Sequence, residues 1–401
     1  MSGNTATNLQ QRPSGRVGEI QVRPIDREQH AALALSMGAS TLQTPEWAQI
    51  KAEWTPESLG WFDGEGNAVG AALVLHRNLP RTKRSLAYLP EGPLLPWERV
   101  VQDPHTWLQP LIQHLRARGA FTVRIGPRLP VRLWSAATSK AGMADETVAR
   151  FSELSPDTLD ERGVALRLAL RDMGWTRLGG EDGFAGGQPE VVFQIPIKGK
   201  TPDELLKGMN QEWRRNIRKS VQQGVTVRRG TRDDLPLFHA LYQETAGRDG
   251  FTGRPLWYFE RMWDALAPDA EGETDAQRPW LRLYVAEIPG ENGPVPLCSS
   301  IMIRTGELDC YYYGASSGSH REARASNAVQ WQAMRDAIDA GCSVYDMRGI
   351  GSTLDPEHPL VGLLRFKAGT GGFVAEYVGE WEMTLAPLWR RGFDLALRLR
   401  S

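Results

Sequence analysis

The feature that most restricts the fold of this chain is an order of elements that occurs twice, over residues 60–126 and again over 283–349. In the first stretch a strand pair flanks the turn Asp63-Gly64-Glu65-Gly66, followed by a strand over Ser85–Leu89, a helix over 107–118 and a strand over 121–125. The second stretch has strands over 281–288, 298–304 and 310–313, a helix over 327–340 and a strand over 343–347. Each helix meets a glycine, Gly119 or Gly341, just before the next strand, and glycine suits the turn that ends a helix. Strands that lead into a helix and then a further strand predict mixed α/β domains of three layers.

That order resembles the acetyltransferase-like fold of the GNAT superfamily, duplicated. The expected fold class is therefore α/β, with two GNAT-like domains in tandem and mixed sheets flanked by helices. The first domain is assigned to residues 18–188, with an insertion or lid at about 128–165 that is polar and irregular and in which Asp145-Glu146 starts a short helix. The second is assigned to 189–378, after a glycine-rich linker over 179–189 and opening with a strand over 191–195. Residues 256–267 read as an amphipathic helix and 268–279 as an acidic surface loop.

A chain of 401 residues can bury two cores, and 41% hydrophobic with 24% charged residues is an ordinary soluble composition. The first sixteen residues are polar and lack a signal-peptide core, and apolar runs such as 71–75 are too short to span a bilayer. A cytoplasmic protein without a transmembrane segment is expected. Cys298, Cys310 and Cys342 are odd in number and lack metal-ligand spacing, so they read as reduced core residues. With no HExxH or paired CxxC among them and the seven histidines, neither a metal site nor a cofactor is expected.

The net charge is only -1, yet residues 213–232 hold seven Lys or Arg and no Asp or Glu. Thr201, Pro202 and Glu204 start a helix that Gly224 stops, over 202–222, and Leu205, Met209, Trp213, Ile217 and Val221 recur every four residues to bury one face. The opposite face is strongly cationic. It is either solvated surface or the seat of a polyanionic partner.

Together the segments WRRNIRKSVQQGV, RDGFTGRPLWYF, YYYGASS, YDMRGIG, HPLVGLLRFKAGTGG and EYVGEWE closely resemble the FemABX family of non-ribosomal peptidyltransferases, over most of the chain from about Gln43 onward. The resemblance implies transfer of glycine, alanine or serine from aminoacyl-tRNA to the side-chain amine of a peptidoglycan stem peptide, carried on a UDP-linked or lipid-linked muropeptide. Peripheral proximity to a membrane would come through the lipid-linked substrate. The resemblance also implies that residues 379–401 return to complete or pack on the first domain.

By position, Lys51 matches a lysine used on the diphosphate of the muropeptide, and Arg254 and Tyr258 match an arginine and tyrosine that serve the same substrate. A spacing of four puts these two on one helix face. Tyr311 and Tyr313 alternate along a strand and so share a face, as a substrate surface or as core aromatics. Phe366 and Lys367 match the pair at the reacting centre, where Lys367 can supply charge to an oxyanion while Leu363, Leu364 and Phe366 exclude water. Glu380 matches a further acidic position among the substrate contacts. Arg214, Arg215, Arg218 and Lys219 are candidates for tRNA phosphates.

The pattern breaks at Phe121 and Gly126, where some members carry a tyrosine and an aspartate in the active cleft. Two alternatives share the fold: an acyl-CoA-dependent N-acyltransferase and a noncatalytic RNA-binding protein. The first is disfavoured because residues 320–327, HREARASN, lack the glycines of a pyrophosphate loop. The second is opposed by Phe366-Lys367 and Arg254-Tyr258.

Overall fold

The computed structural model describes residues 19–179, 187–267 and 278–398. Its strands, in chain order, are β1 (Gln21–Pro24), β2 (Thr55–Phe62), β3 (Ala68–Asn78), β4 (Ser85–Leu89), β5 (Ala120–Ile125), β6 (Pro130–Ser135), β7 (Thr158–Leu159), β8 (Thr176–Leu178), β9 (Val191–Pro196), β10 (Thr226–Arg229), β11 (Trp280–Ile288), β12 (Val295–Thr305), β13 (Leu308–Ser316), β14 (Val344–Gly349), β15 (Phe373–Tyr377) and β16 (Glu380–Thr384). Among the described residues they form a seven-stranded sheet in the order β1-β2-β3-β4-β5-β16-β8 and a nine-stranded sheet in the order β10-β11-β12-β13-β14-β9-β15-β6-β7.

The duplication seen in the sequence is a duplication of topology. In the first sheet β4 and β5 pair in parallel across the crossover helix Pro104–Ala117, and in the second β13 and β14 do so across Ala325–Asp339. The copies differ at these central pairs. β4 and β5 stay paired from Ser85↔Ala120 to Leu89↔Ile125. β13 and β14 pair only through Leu308–Cys310 against Val344–Asp346, although β13 runs on to Ser316. The second sheet therefore opens where the first remains closed.

The two sheets also exchange strands. β6 lies in the second sheet, antiparallel to β15, and β16 lies in the first, between β5 and β8. Three large apolar clusters hold the fold. One surrounds Trp61, Trp107 and Val123, a second surrounds Phe193, Trp213 and Tyr345, and a third joins Trp47 and Leu75 of the first half to Phe238, Phe259 and Ile301 of the second. Cys298, Cys310 and Cys342 are buried free thiols.

Two local expectations are corrected. Residues 128–165 are not irregular: they supply β6 and the helix Ala136–Ala144, which Ser135 caps by accepting from the Thr138 amide. Asp145 ends that helix instead of starting one, its carboxylate accepting from the Thr147 amide and hydroxyl two residues on. Val131 and Trp134, both buried in β6, are the strand signal that the polar surroundings obscured.

The basic helix is two helices, Pro202–Gly208 and Gln211–Gln222, with Met209 extended between them. Thr201 and Glu204 form the expected capping box on the first. Asn210 starts the second by accepting from the Trp213 amide at 2.8 Å, a local bond that competes with continued helix. A step of four residues overshoots a helical turn by about 40°. The drift carries Val221 out to 70% exposure, and the buried face is Trp213, Asn216, Ile217 and Ser220. The 180–186 part of the expected linker and the 268–277 part of the expected acidic loop lie outside the described residues, as do the first eighteen positions.

Candidate active site

Lys51, Arg254 and Tyr258 come together although they arise far apart in the chain. Lys51 ends the short helix Pro45–Ile50, with its ammonium 5.2 Å from the Trp47 ring centre and 5.3 Å from that of Tyr258. The Arg254 guanidinium lies 5.2 Å from the Tyr258 ring. The helix carrying Tyr258 begins only at Leu256, so Arg254 reaches the ring from the preceding loop and not from a shared helix face. The Gln243 amide holds that loop through the Arg254 carbonyl, at 3.3 Å. Burial and the nearby Arg254 charge pull the Lys51 ammonium below its usual value, with Glu53 opposing. Two cations thus approach one aromatic ring, and an anion bound beside them would relieve their repulsion.

Tyr313 joins this cluster, with its ring 6.4 Å from Tyr258 and edge-on to Phe259 at 5.1 Å. Tyr311 does not. The register places Ile301 opposite Tyr313 and Met302 opposite Tyr311, leaving Tyr312 as a bulge. One extra residue sends Tyr311 to the other face. There it packs in the core beneath the second-half helices, over Gly314, where any Cβ would stand 1.6 Å from the Tyr311 hydroxyl oxygen.

A buried charged network lies beside this cluster, between the halves. Arg128 donates to Asp346 at 2.9 Å and to the Tyr377 hydroxyl at 3.1 Å, and Gln194 donates to the same two groups at 2.9 Å each. Arg348, with φ of 61°, donates to Glu91 at 2.7 Å and to Gln188 at 3.0 Å, and sits 5.0 Å from the Tyr312 ring. Burial alone would raise the Glu91 carboxyl, but Arg348 and Arg128 outweigh it and hold it below its usual value. Sequence reasoning missed Glu91, Arg128, Asp346 and Arg348. The last two stand in YDMRGIG, where an acid and a base within three residues at a strand end were the available signal.

Phe366 and Lys367 face opposite ways from the helix Val361–Ala368. The Phe366 ring lies tilted against Trp213 with centroids 4.8 Å apart, and the Trp213 indole donates to the Phe366 carbonyl at 2.7 Å. Lys367 is 3% exposed and donates to the carbonyls of Met347 at 2.6 Å, Arg348 at 3.3 Å and Gly349 at 2.7 Å. Burial lowers its ammonium to about 7, Asp346 opposing and Arg348 adding to the fall. It braces the end of β14 from below instead of opening into a cleft.

Glu380, in β16, is 4% exposed and accepts from the Tyr88 hydroxyl through Oε1, while Oε2 is buried without a hydrogen-bond partner. Burial pushes its carboxyl up to about 7, against the Tyr88 bond and the Arg124 charge. A Cβ placed on Gly126 would stand 3.2 Å from Glu380 Cγ and 3.6 Å from Oε1. The space vacated at Gly126 is thus occupied by the carboxylate of Glu380. Arg348, Gln188 and Tyr88 link it back to the charged network.

The opened second sheet borders a cleft of about 860 Å³ lined by Trp213, Asn216 and Phe366 on one side and Ser316, Arg324 and Asn327 on another. Arg248, Arg321, Arg324 and Arg365 are exposed around it, and the Asn327 side-chain amide nitrogen is buried without a partner. His320 and Arg324 adopt left-handed backbone, with φ of 50° and 58°, where an acyl-CoA loop would carry glycine. The loop thus presents arginines at the cleft. Arg215, Arg218 and Lys219 continue the cationic surface along the adjoining helix. Arg214 is partly engaged, donating to the carbonyls of Lys207 at 3.0 Å and Met209 at 2.8 Å, which closes the end of the preceding helix.

The fold is thus two acetyltransferase-type domains in tandem, with two cations against the Tyr258 ring and an arginine-rimmed cleft beside the second sheet. The chain belongs to the FemAB family, whose family model matches residues 27–271 and 284–396. It is 24% identical over 406 residues to the lipid II:glycine glycyltransferase of Staphylococcus saprophyticus subsp. saprophyticus, covering 87% of this chain and 89% of that relative. To the protein of the same name from Staphylococcus aureus (strain COL) it is 23% identical over 430 residues, covering 91% and 93%. Among solved structures it is similar to the crystal structure of FemX, with a TM-score of 0.73 at 20% identity over 92% of this chain and 99% of that one.

Proposed function

We propose that this protein transfers an aminoacyl group from aminoacyl-tRNA to the side-chain amine of the stem peptide of a lipid-linked peptidoglycan precursor, building an interpeptide bridge. The observation that carries this reading is the approach of Lys51 and Arg254 to the one Tyr258 ring, which supports the two cations acting together on the diphosphate of such an acceptor. The curated relatives are named as lipid II:glycine glycyltransferases, which supports the acceptor class and makes glycine the first amino acid to test.

The donor lies in the arginine-rimmed cleft, its phosphates along Arg215, Arg218 and Lys219 and its terminal base against Trp213 and Phe366. The acceptor amine attacks the ester carbonyl, a tetrahedral oxyanion forms, and the ribose oxygen leaves with a proton. An ester is already an activated acyl donor, so alignment supplies much of the acceleration and no covalent enzyme intermediate is needed. Glu380 accepts the proton shed by the attacking amine, and that proton, relayed through water, goes to the departing ribose oxygen. Lys367 holds the β14 end, and with it Arg348, through the carbonyls of Met347, Arg348 and Gly349.

The test is incubation with tRNAs charged with glycine, alanine or serine and either a UDP-linked or a lipid-linked pentapeptide, with the product weighed by mass spectrometry. One added aminoacyl residue on the stem peptide is expected. No mass gain with any donor, from a protein that binds both substrates, overturns the reading.

A further inference from the structure

Among the described side chains, the helix Pro387–Arg398 is anchored on the side of Phe393 and Arg390. The Phe393 ring packs 5.4 Å from Phe121, and Arg390 donates to Glu382 at 2.7 Å. On the outward side Leu388 is 81% exposed and Leu395 60%, seven residues apart and hence in line along the helix. Trp389, 41% exposed, flanks them. Beside the helix stands the turn between β3 and β4, with Arg81 and Lys83 exposed and the Arg84 guanidinium 5.7 Å from the Trp389 ring. Arg391 adds a further exposed cation.

We infer that this helix and turn form a face that rests on the surface of an anionic lipid bilayer. Exposed leucines and a tryptophan rimmed by cations suit the headgroup boundary, where apolar side chains enter and arginine and lysine meet lipid phosphates. Twelve residues are too few to cross a bilayer, and among the described residues no helix is long and apolar enough to do so. A second copy of the chain is a poor occupant, because two such faces would set Arg81, Lys83, Arg84 and Arg391 against their own equivalents.

The placement is also suited to the acceptor, and in this respect the inference rests on the proposed function. Arg77, at the end of β3, lies 5.8 Å from the Trp54 ring, and Asn78 donates to Thr55 at 2.8 Å. Trp54 follows Lys51 by three residues. The segment that carries Lys51 therefore enters the first sheet at the end where the β3–β4 turn and the outward helix stand. A lipid chain leaving a diphosphate held by Lys51 and Arg254 has a bilayer to enter there.

The test measures co-sedimentation with phosphatidylglycerol-containing vesicles and with vesicles of phosphatidylcholine alone, without other substrates. Two variants are compared with the parent: a triple change, Leu388→Gln with Trp389→Gln and Leu395→Gln, and a double change, Arg81→Gln with Lys83→Gln. The parent should favour the anionic vesicles by at least about tenfold, and each variant should lose about tenfold of that binding. Transfer to a soluble UDP-linked acceptor should stay unchanged in both. Equal binding to both vesicle types, retained binding in both variants, or a concentration-dependent dimer that the triple change abolishes would overturn the inference. Should the triple variant misfold, the turn variant carries the test. Vesicle binding without transfer to any acceptor would remove the proposed function and leave the membrane face standing.

Discussion

At the scale of single residues, the unusual groups are a lysine and a glutamate that burial brings to about the same pKa, near 7, from opposite sides. Removing the Lys367 ammonium strands three carbonyls at the end of β14, and an unpaired buried acceptor costs about 1–3 kcal/mol. Lys367→Met should therefore lower both stability and turnover, with Tm down by several degrees and kcat by at least about tenfold; unchanged values of both would remove the bracing role. Glu380 behaves differently. Its folded pKa is raised, so its contribution to stability is complete below the unfolded carboxyl value and is lost as pH rises through about 7. Glu380→Gln should accordingly be more stable than the parent at pH 8 in thermal unfolding, while losing the rise in kcat/KM between pH 6 and 8 that deprotonation of the base gives the parent. A variant that kept that rise would exclude Glu380 as the proton acceptor. Motifs in the sequence led to Lys51, Arg254, Tyr258, Phe366, Lys367 and Glu380 individually. Nothing local linked Gly126 to Glu380, because that relation is made by strand neighbours, β5 and β16, from opposite ends of the chain.

At the scale of elements, charge and capping divide the work along residues 202–222. Charge reversal at Arg215 and Arg218 should weaken binding of differently charged tRNAs by similar factors and flatten the salt dependence of affinity, since phosphate contacts carry no base information. Affinity for the muropeptide should hold nearly constant, and filter binding over a salt series reads both quantities. Asn210→Ala should cost about 1 kcal/mol of stability through loss of the cap. The periodic apolar pattern and the basic content of this stretch were legible in the sequence. The break was not, because Asn210 is compatible both with the interior of a polar helix face and with the start of a new helix. The bulge at Tyr312 was hidden for a similar reason, since one inserted residue leaves the composition of a strand unchanged while it inverts every side chain beyond it.

At the scale of the whole molecule, the twofold plan was readable because each copy is built from neighbours in sequence, with alternating strands and glycine-stopped helices. The exchange of β6 and β16 is a matter of long-range partners, and alternation alone does not name a partner. Truncation after Val378 should be far more damaging than the loss of a chain end usually is, since it withdraws β16 from between β5 and β8 and uncovers the edge at Ile125. Loss of soluble protein, or of cooperative unfolding, is the expected result; a monomer with parental Tm would show that β16 is dispensable.

The same exchange bears on how the protein is made. A ribosome delivers β5 and β8 long before it delivers residues 380–384, so the nascent first sheet must wait, lacking the strand that separates them, until β16 has been made. A messenger that stops before the codons of β16 yields a polypeptide whose defect lies in its first sheet. The sheet that β1 to β5 begin is thus completed only by a strand made far later, so the front of the molecule stays unfinished until β16 arrives.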